Sequence, residues 1–431
     1  MEMPPFRDDA KRGVYYMKNR NRIRCCRGLR HGRGALLFML LLAVPIPVSL
    51  AAPTSIPASS TTLTSDSDRM ISFRHQEHMW QTSDGATHAL INRGTLVQAG
   101  TSLRLFSSFD SGQSWVVKSW LGNTNKYSTS DGVLVGNDLW LVYASANGKI
   151  LFSILHYDSS LRTWSLVKTE TVFTSSDSQA INPALAIDDQ GAVWCAFVNL
   201  DNATADANIK LVQRAPDGSA WQDTGLVFGP TDNVSVERSA RPVVISNGVG
   251  MVYTVHESIY WAYRLDGWPA TTPWIEQTLF TSTPPYDIDP YASHFSVVAD
   301  ANRNLHMATV DHGRLLYFRF VNRTQAWNPV RTLTNDIQAT YPQVSIAKDR
   351  LAIFVNASTF VKVLQSTNTG STFTYTDLLT HDPAPQGGSI SYQNSRIETP
   401  GYSFDPIPVF QQYADGATLR VMYFQVPVIT P

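Results

Sequence analysis

From about Met70 onward the chain repeats one pattern of apolar and polar positions. An apolar strand is followed by a turn of Asp, Asn or Gly, a second apolar strand, a polar loop, and a third strand that runs into a tight turn closed by an aromatic residue. The third strands align as "LRLFSSFDSGQSW", "KILFSILHYDSSLRTW", "IKLVQRAPDGSAW", "IYWAYRLDGWPATTPW", "LLYFRFVNRTQAW", "FVKVLQSTNTGSTF" and "LRVMYFQV". Their closing aromatics, Trp115, Trp164, Trp221, Trp274, Trp327 and Phe373, are spaced 49, 57, 53, 53 and 46 residues apart. Propeller blades of four strands repeat at roughly 40–50 residues, and inserted loops lengthen that period. The second strands, among them "NDLWLVYAS", "GAVWCAFVN" and "DRLAIFVNA", keep the same register.

Two alignments thus predict an all-β fold, a seven-bladed β-propeller over residues 69–431, with six or eight blades kept open. A β-sandwich would use about seven strands in a hundred residues, whereas here the unit recurs over most of the chain. The seventh third strand has no aromatic and no fourth strand after it. An N-terminal strand around "RMISF" is expected to complete that blade and leave no open edge in the ring.

Composition agrees with this reading, with 43% hydrophobic and 16% charged residues, and it also isolates the N-terminus. Ten Lys and Arg against three acids precede Gly34, and the apolar run "ALLFMLLLAVPIPVSLAA" follows. A basic segment before a Pro-broken apolar one reads as a signal peptide over residues 1–52, or an uncleaved signal anchor, with Met17 an alternative start. Residues 53–68, rich in Ser, Thr and Pro, read as a linker. The expected product is secreted, with no membrane partner once mature.

Beyond the basic segment the chain holds 24 basic and 32 acidic residues, so nucleic acid is excluded as a natural partner. A monomer is expected. Cys195 is the one cysteine of that part, which rules out an internal disulfide there. Sequons stand at Asn202, Asn233, Asn322 and Asn356.

The turn "SFDSGQSW", Ser108 to Trp115, follows the pattern Ser-x-Asp-x-Gly-x-Thr-Trp with Ser114 at the Thr position. "STNTGSTF", Ser366 to Phe373, is a degenerate copy with Asn368 for Asp and Phe373 for Trp. These turns resemble the Asp box, or bacterial neuraminidase repeat, of sialidases and other glycan-acting propellers. The box forms a hairpin turn and packs its aromatic between sheets, so it marks fold and not chemistry. "SFRHQEHMW" carries Arg74 but lacks the Arg-Ile-Pro of sialidases. Seven blades with His, Tyr and Arg at the rim look more like the propeller polysaccharide lyases. The resemblance implies β-elimination on uronic-acid-containing glycans, with a sialidase-like hydrolase or a non-catalytic glycan-binding propeller as the alternatives.

In a propeller the segment leading into the innermost strand and the turn between second and third strands open on one face. Counting back from each first turn brings His75, Asn182, Arg241, His294 and Tyr341 to that face. The second-to-third turns add Arg93, His256 and His312. For a lyase, Arg241 is assigned to the uronate carboxylate, His294 or His256 to proton abstraction and Tyr341 to leaving-group protonation. Arg93, Asn182, His312 and His75 are expected to bind substrate. His88 and His306, inside second strands, are expected to be core or channel residues. No cofactor is required by the sequence, although Asp311–His312 and His256–Glu257 leave a divalent metal open.

Overall fold

A computed structural model of the chain describes residues 54–55, 59–71, 75–232, 238–268, 272–283, 295–335, 339–357, 360–379, 396–415 and 418–429. The expected signal peptide, and His294 among the expected site residues, lie outside the described residues. So do all of residues 1–53. No helix among the described residues is long and apolar enough to cross a membrane.

The described residues form seven sheets, each in the order inner, second, third and outer strand. The first runs Met79–Gln81, Thr87–Asn92, Leu103–Ser108 and Val116–Trp120. In the fourth, Arg238–Ile245, Gly248–Val255, Ser258–Leu265 and Ile275–Thr281 pair antiparallel throughout. Burial falls steeply across each sheet. All of Gly248–Val255 is buried, while Ile275–Thr281 is mostly exposed. A strand covered on both faces cannot alternate apolar and polar residues, and this is why the second strands read as unbroken apolar runs.

Seven apolar clusters connect the sheets in sequence. Leu105 of the first packs with Leu139 and Leu155 of the second, Phe152 with Phe197 of the third, and so on to Phe354 and Phe424 of the sixth and seventh. A last cluster, containing Leu63, Met79, Phe106, Phe410 and Tyr423, joins the seventh sheet back to the first, so the ring closes and the fold is a β-propeller.

The closing aromatics explain the repeat, because each packs on the preceding sheet. Trp115 lies on Phe410 and Tyr423 of the seventh, Trp221 on Phe152 of the second, Trp274 on Trp194 and Phe228 of the third, and Trp327 on Trp261 of the fourth. Phe373 meets Tyr317 of the fifth sheet.

The two box-like turns share one hydrogen-bond pattern. Asp110 Oδ1 accepts from Ser108 Oγ and Ser114 N, both at 2.9 Å, and Asn368 Oδ1 accepts from Ser366 Oγ at 2.9 Å and Thr372 N at 2.8 Å. Gly112 and Gly370 have φ of +84° and +79°, and a Cβ on either would collide with Tyr423 or Tyr317 of the preceding sheet. Asn thus replaces Asp in the turn without changing its backbone geometry.

The closing strand differs from the expected one. Ser59–Ser65, within the stretch read as a linker, pairs antiparallel with Thr418–Val426 as the outer strand of the seventh sheet. Thr61 Oγ1 donates to the Val421 carbonyl at 2.8 Å, and Thr61, Leu63 and Ser65 alternate inward. Met70 and Ile71 of "RMISF" form no strand; they are buried in the joining cluster beside Leu63. Thr54–Ser55 adds a parallel edge to the sixth sheet.

A second departure concerns the axis. After the inner strand Ile397–Glu398 of the seventh sheet, the chain does not turn straight back into Ile407–Asp415. It lays Tyr402–Ser403 parallel to Ala339–Ala347, the inner strand of the sixth sheet. The segment also reaches Ala299 of the fifth sheet through the Tyr402 hydroxyl, at 2.5 Å, and Gln81 of the first through the Phe404 amide, at 2.8 Å. The axial channel is therefore filled in part by main chain.

Candidate functional site

Asp232, which ends the outer strand of the third sheet, accepts from His256 in the turn between the second and third strands of the fourth sheet. Outer-to-inner connections and these turns consequently share one face, as the sequence reading required. The Asn247 carbonyl accepts from Asp266 N at 2.7 Å and ties the remaining turns together on the opposite face.

On the first face His256 and His312 occupy matching turns of adjacent sheets, with left-handed φ of 51° and 49°. Each is held by a carboxylate: His256 Nε2 lies 2.8 Å from Asp232 Oδ2, and His312 Nδ1 lies 3.0 Å from Asp311 Oδ1. Both imidazoles are about one third open, at 33% and 28% exposure. Arg238, fully buried, also pairs with Asp232, at 2.5 Å. Arg314, 42% exposed, donates to Asp311 Oδ2, so a guanidinium and an imidazole flank one buried carboxylate. Ser282 connects the two turns by donating its amide to Glu257 O at 2.9 Å and its hydroxyl to Asp311 Oδ1 at 2.6 Å.

Arg241 sits elsewhere. It pairs with Val252, whereas Arg238 pairs with Val255, so it lies about 13 Å below the His256 turn at 3.3 Å per residue. Its Nη1 donates to Asp131 Oδ1 at 2.6 Å and to the His75 carbonyl at 2.7 Å, and its Nη2 is 3.7 Å from Glu77. Asp131, fully buried, also accepts from Glu77 N at 2.6 Å and Leu185 N at 2.8 Å. The Arg241 guanidinium is thus engaged inside the protein by Asp131, Glu77 and the His75 carbonyl.

Glu77 is the odd member of this axial network. Burial pushes its carboxyl up to about 8, with Arg241 opposing the rise and Asp131 adding to it. Gly401 of the axial segment donates to Glu77 Oε1 at 3.2 Å, and Glu398 accepts from His78 N at 3.0 Å. Segments from the first, second, fourth and seventh sheets therefore meet here around charge.

The other expected residues are dispersed. His75 is buried against Phe295, with ring centres 5.5 Å apart. Asn182 is buried at a bulge of the third sheet's inner strand, with φ 52° and its amide 3.1 Å from Thr129 Oγ1. Arg93 lies at the seam of the first and seventh sheets, over the Phe106 ring and 3.3 Å from Thr64 Oγ1. Tyr341 falls in the inner strand Ala339–Ala347, and its side chain lies outside the described set. His88 and His306 are buried, the latter between Asp300 and the Tyr317 hydroxyl.

The sequence reading missed Arg314, although its place two residues after His312 in "DHGR" was a usable signal. It also missed Asp232, which lies 24 residues before His256 with no local cue. Among the described residues no group of three or more His, Cys, Asp or Glu is arranged to hold a metal ion.

No protein-family model matches the chain, and no curated protein sequence matches it. Among solved structures it is similar to a fucose-specific lectin from Aleuria aurantia, at 13% identity and TM-score 0.45, over 72% of this chain and 96% of that one. It is similar to Trypanosoma rangeli sialidase at 11% and 0.46, over 86% and 58%. The polysaccharide lyase Uly1 aligns at 10% and 0.44, over 82% and 90%. Likeness at this level carries no argument about activity, and the propeller rests on its own sheet topology.

Proposed function

We propose that the chain is a secreted carbohydrate-active propeller, a polysaccharide lyase that cleaves uronic-acid-containing glycans on the face bearing His256 and His312. The carrying observation is the group at Asp311, where an exposed guanidinium and an imidazole about one third open are fixed on one buried carboxylate. β-Elimination needs that pair of functions. Arg314 neutralises the uronate carboxylate, which lowers the cost of the carbanion-like state. His312, or His256 in the neighbouring turn, takes the C5 proton; the electron pair forms the C4–C5 double bond as the C4–O bond breaks. The departing oxygen takes a proton, a role kept for Tyr341 or His294.

One observation favours a hydrolase instead. Glu77, with its carboxyl pushed up to about 8 and the Asp131 carboxyl beside it, offers the protonated member of a glycosidase pair. Against it, Asp131 is fully buried and its oxygens are engaged by Arg241, Glu77 N and Leu185 N. The lyase reading therefore stands first.

The test is ultraviolet absorbance of an unsaturated uronate on a panel of uronic polymers. Product is expected from the native protein and loss of about 10²-fold or more in rate from His312→Gln. New reducing ends without unsaturation would replace this reading with the hydrolase, and no turnover on any polymer would sink it.

A further inference from the structure

On the face opposite His256 and His312, a groove of about 810 Å³ lies between the fourth and fifth sheets. One wall is the turn Ser246–Asn247, and the other is the short 3-10 helix Asn322–Thr324. Asn322 fixes the walls in place. Its Nδ2 donates to Ser246 Oγ at 2.6 Å and to Asn302 O at 3.1 Å, and its Oδ1 accepts from Ser246 N at 3.1 Å. The Asn322 sequon is therefore already used for packing.

The remaining lining groups have capacity to spare. Among the described residues, the carboxamides of Asn247 and Asn302 and the guanidinium of Arg323 make no side-chain hydrogen bond, although all three line the groove. Arg319 donates its Nη2 to Thr369 Oγ1 at 3.2 Å, while its buried Nε has no partner. Leu265 and Val321 supply apolar wall, and among the described residues no carboxylate lines the groove. In a domain with more acids than bases, this is a local concentration of guanidinium and amide groups.

We propose that this groove binds a segment of an acidic oligosaccharide. Guanidinium donors match a sugar-borne anion, and carboxamides match hydroxyls, which both donate and accept. The apolar walls suit the C–H faces of sugar rings, which a small inorganic anion would leave unused. The substrate class is that of the lyase reading but the residues are not, so either proposal can fail alone.

The experiment is titration of His312→Gln protein with trigalacturonate, read by calorimetry and by hydrogen exchange in the Asn322–Gln325 turn. Trigalacturonate is expected to slow exchange in that turn, and Arg323→Ala is expected to abolish the slowing and weaken binding about tenfold, with an unchanged melting temperature. A sulfated disaccharide that protects the turn in place of trigalacturonate also supports the proposal and assigns the charge to sulfate. Equal protection by neutral maltotriose, or protection by neither acidic probe, overturns it. Binding is measured without turnover, so an inactive protein on uronic polymers leaves this result standing.

Discussion

Two groups of charges use the same chemistry at different depths. In the axial network Asp131 holds Arg241 with nothing left over, since three donors converge on a carboxylate that water does not reach. At the turns, Asp311 is equally buried, yet what it holds, His312 and Arg314, is partly open to solvent. A buried carboxylate that grips a buried cation gives rigidity. One that grips exposed groups aims them. The sequence presents Arg241 and Arg314 alike, and depth alone gives them different work.

The largest expected effect lies on the axis. Asp131→Ala leaves Arg241 charged, buried and short of its main partner, and such a loss typically costs about 3–5 kcal/mol. Urea denaturation should show it; a loss below about 1 kcal/mol would put the axial network on a par with surface pairs.

Arg314→Ala should reverse the balance. Turnover on the uronic polymer should fall about 10²-fold, as for loss of one transition-state donor. Unfolding should change by under about 1 kcal/mol, because the guanidinium is partly solvated and His312 and Ser282 still hold Asp311. Equal losses in both measurements would erase the distinction between the two regions.

The third effect is a slope. Glu77 has a folded value near 8, above that of an ordinary carboxyl, so the native state keeps a proton that the unfolded chain has released. Its contribution to stability is complete below about pH 4.5, declines as pH rises, and is lost above about 8, with a slope of at most about 1.4 kcal/mol per pH unit. Glu77→Gln should flatten that part of the curve of denaturation midpoint against pH. An unchanged slope would place the proton elsewhere.

Much of the ring was legible in the sequence because contact between sheets demands it. A closing aromatic must fill the wedge against the preceding sheet, so Trp164 or Trp274 announces its strand regardless of local composition. The closing strand was not legible. Its inward positions are Thr61, Leu63 and Ser65, one apolar group between two small polar ones, and its composition matches that of a linker. The turn histidines followed from counting along the repeat. The fate of Arg241 did not, because its partner Asp131 lies 110 residues away and meets it only across the axis.

The seam between Ser59–Ser65 and Thr418–Val426 also sets a timetable. Thr61 and Val421 are 360 residues apart, so during synthesis the first strand waits for all of the chain between them. At roughly 5–20 residues per second that interval is tens of seconds. Throughout it the seventh sheet lacks its outer strand and the first sheet lacks its neighbour. Completion of the ring therefore waits for Thr418–Val426, and a nascent chain stalled just before residue 418 carries the first six sheets and still has an open gap.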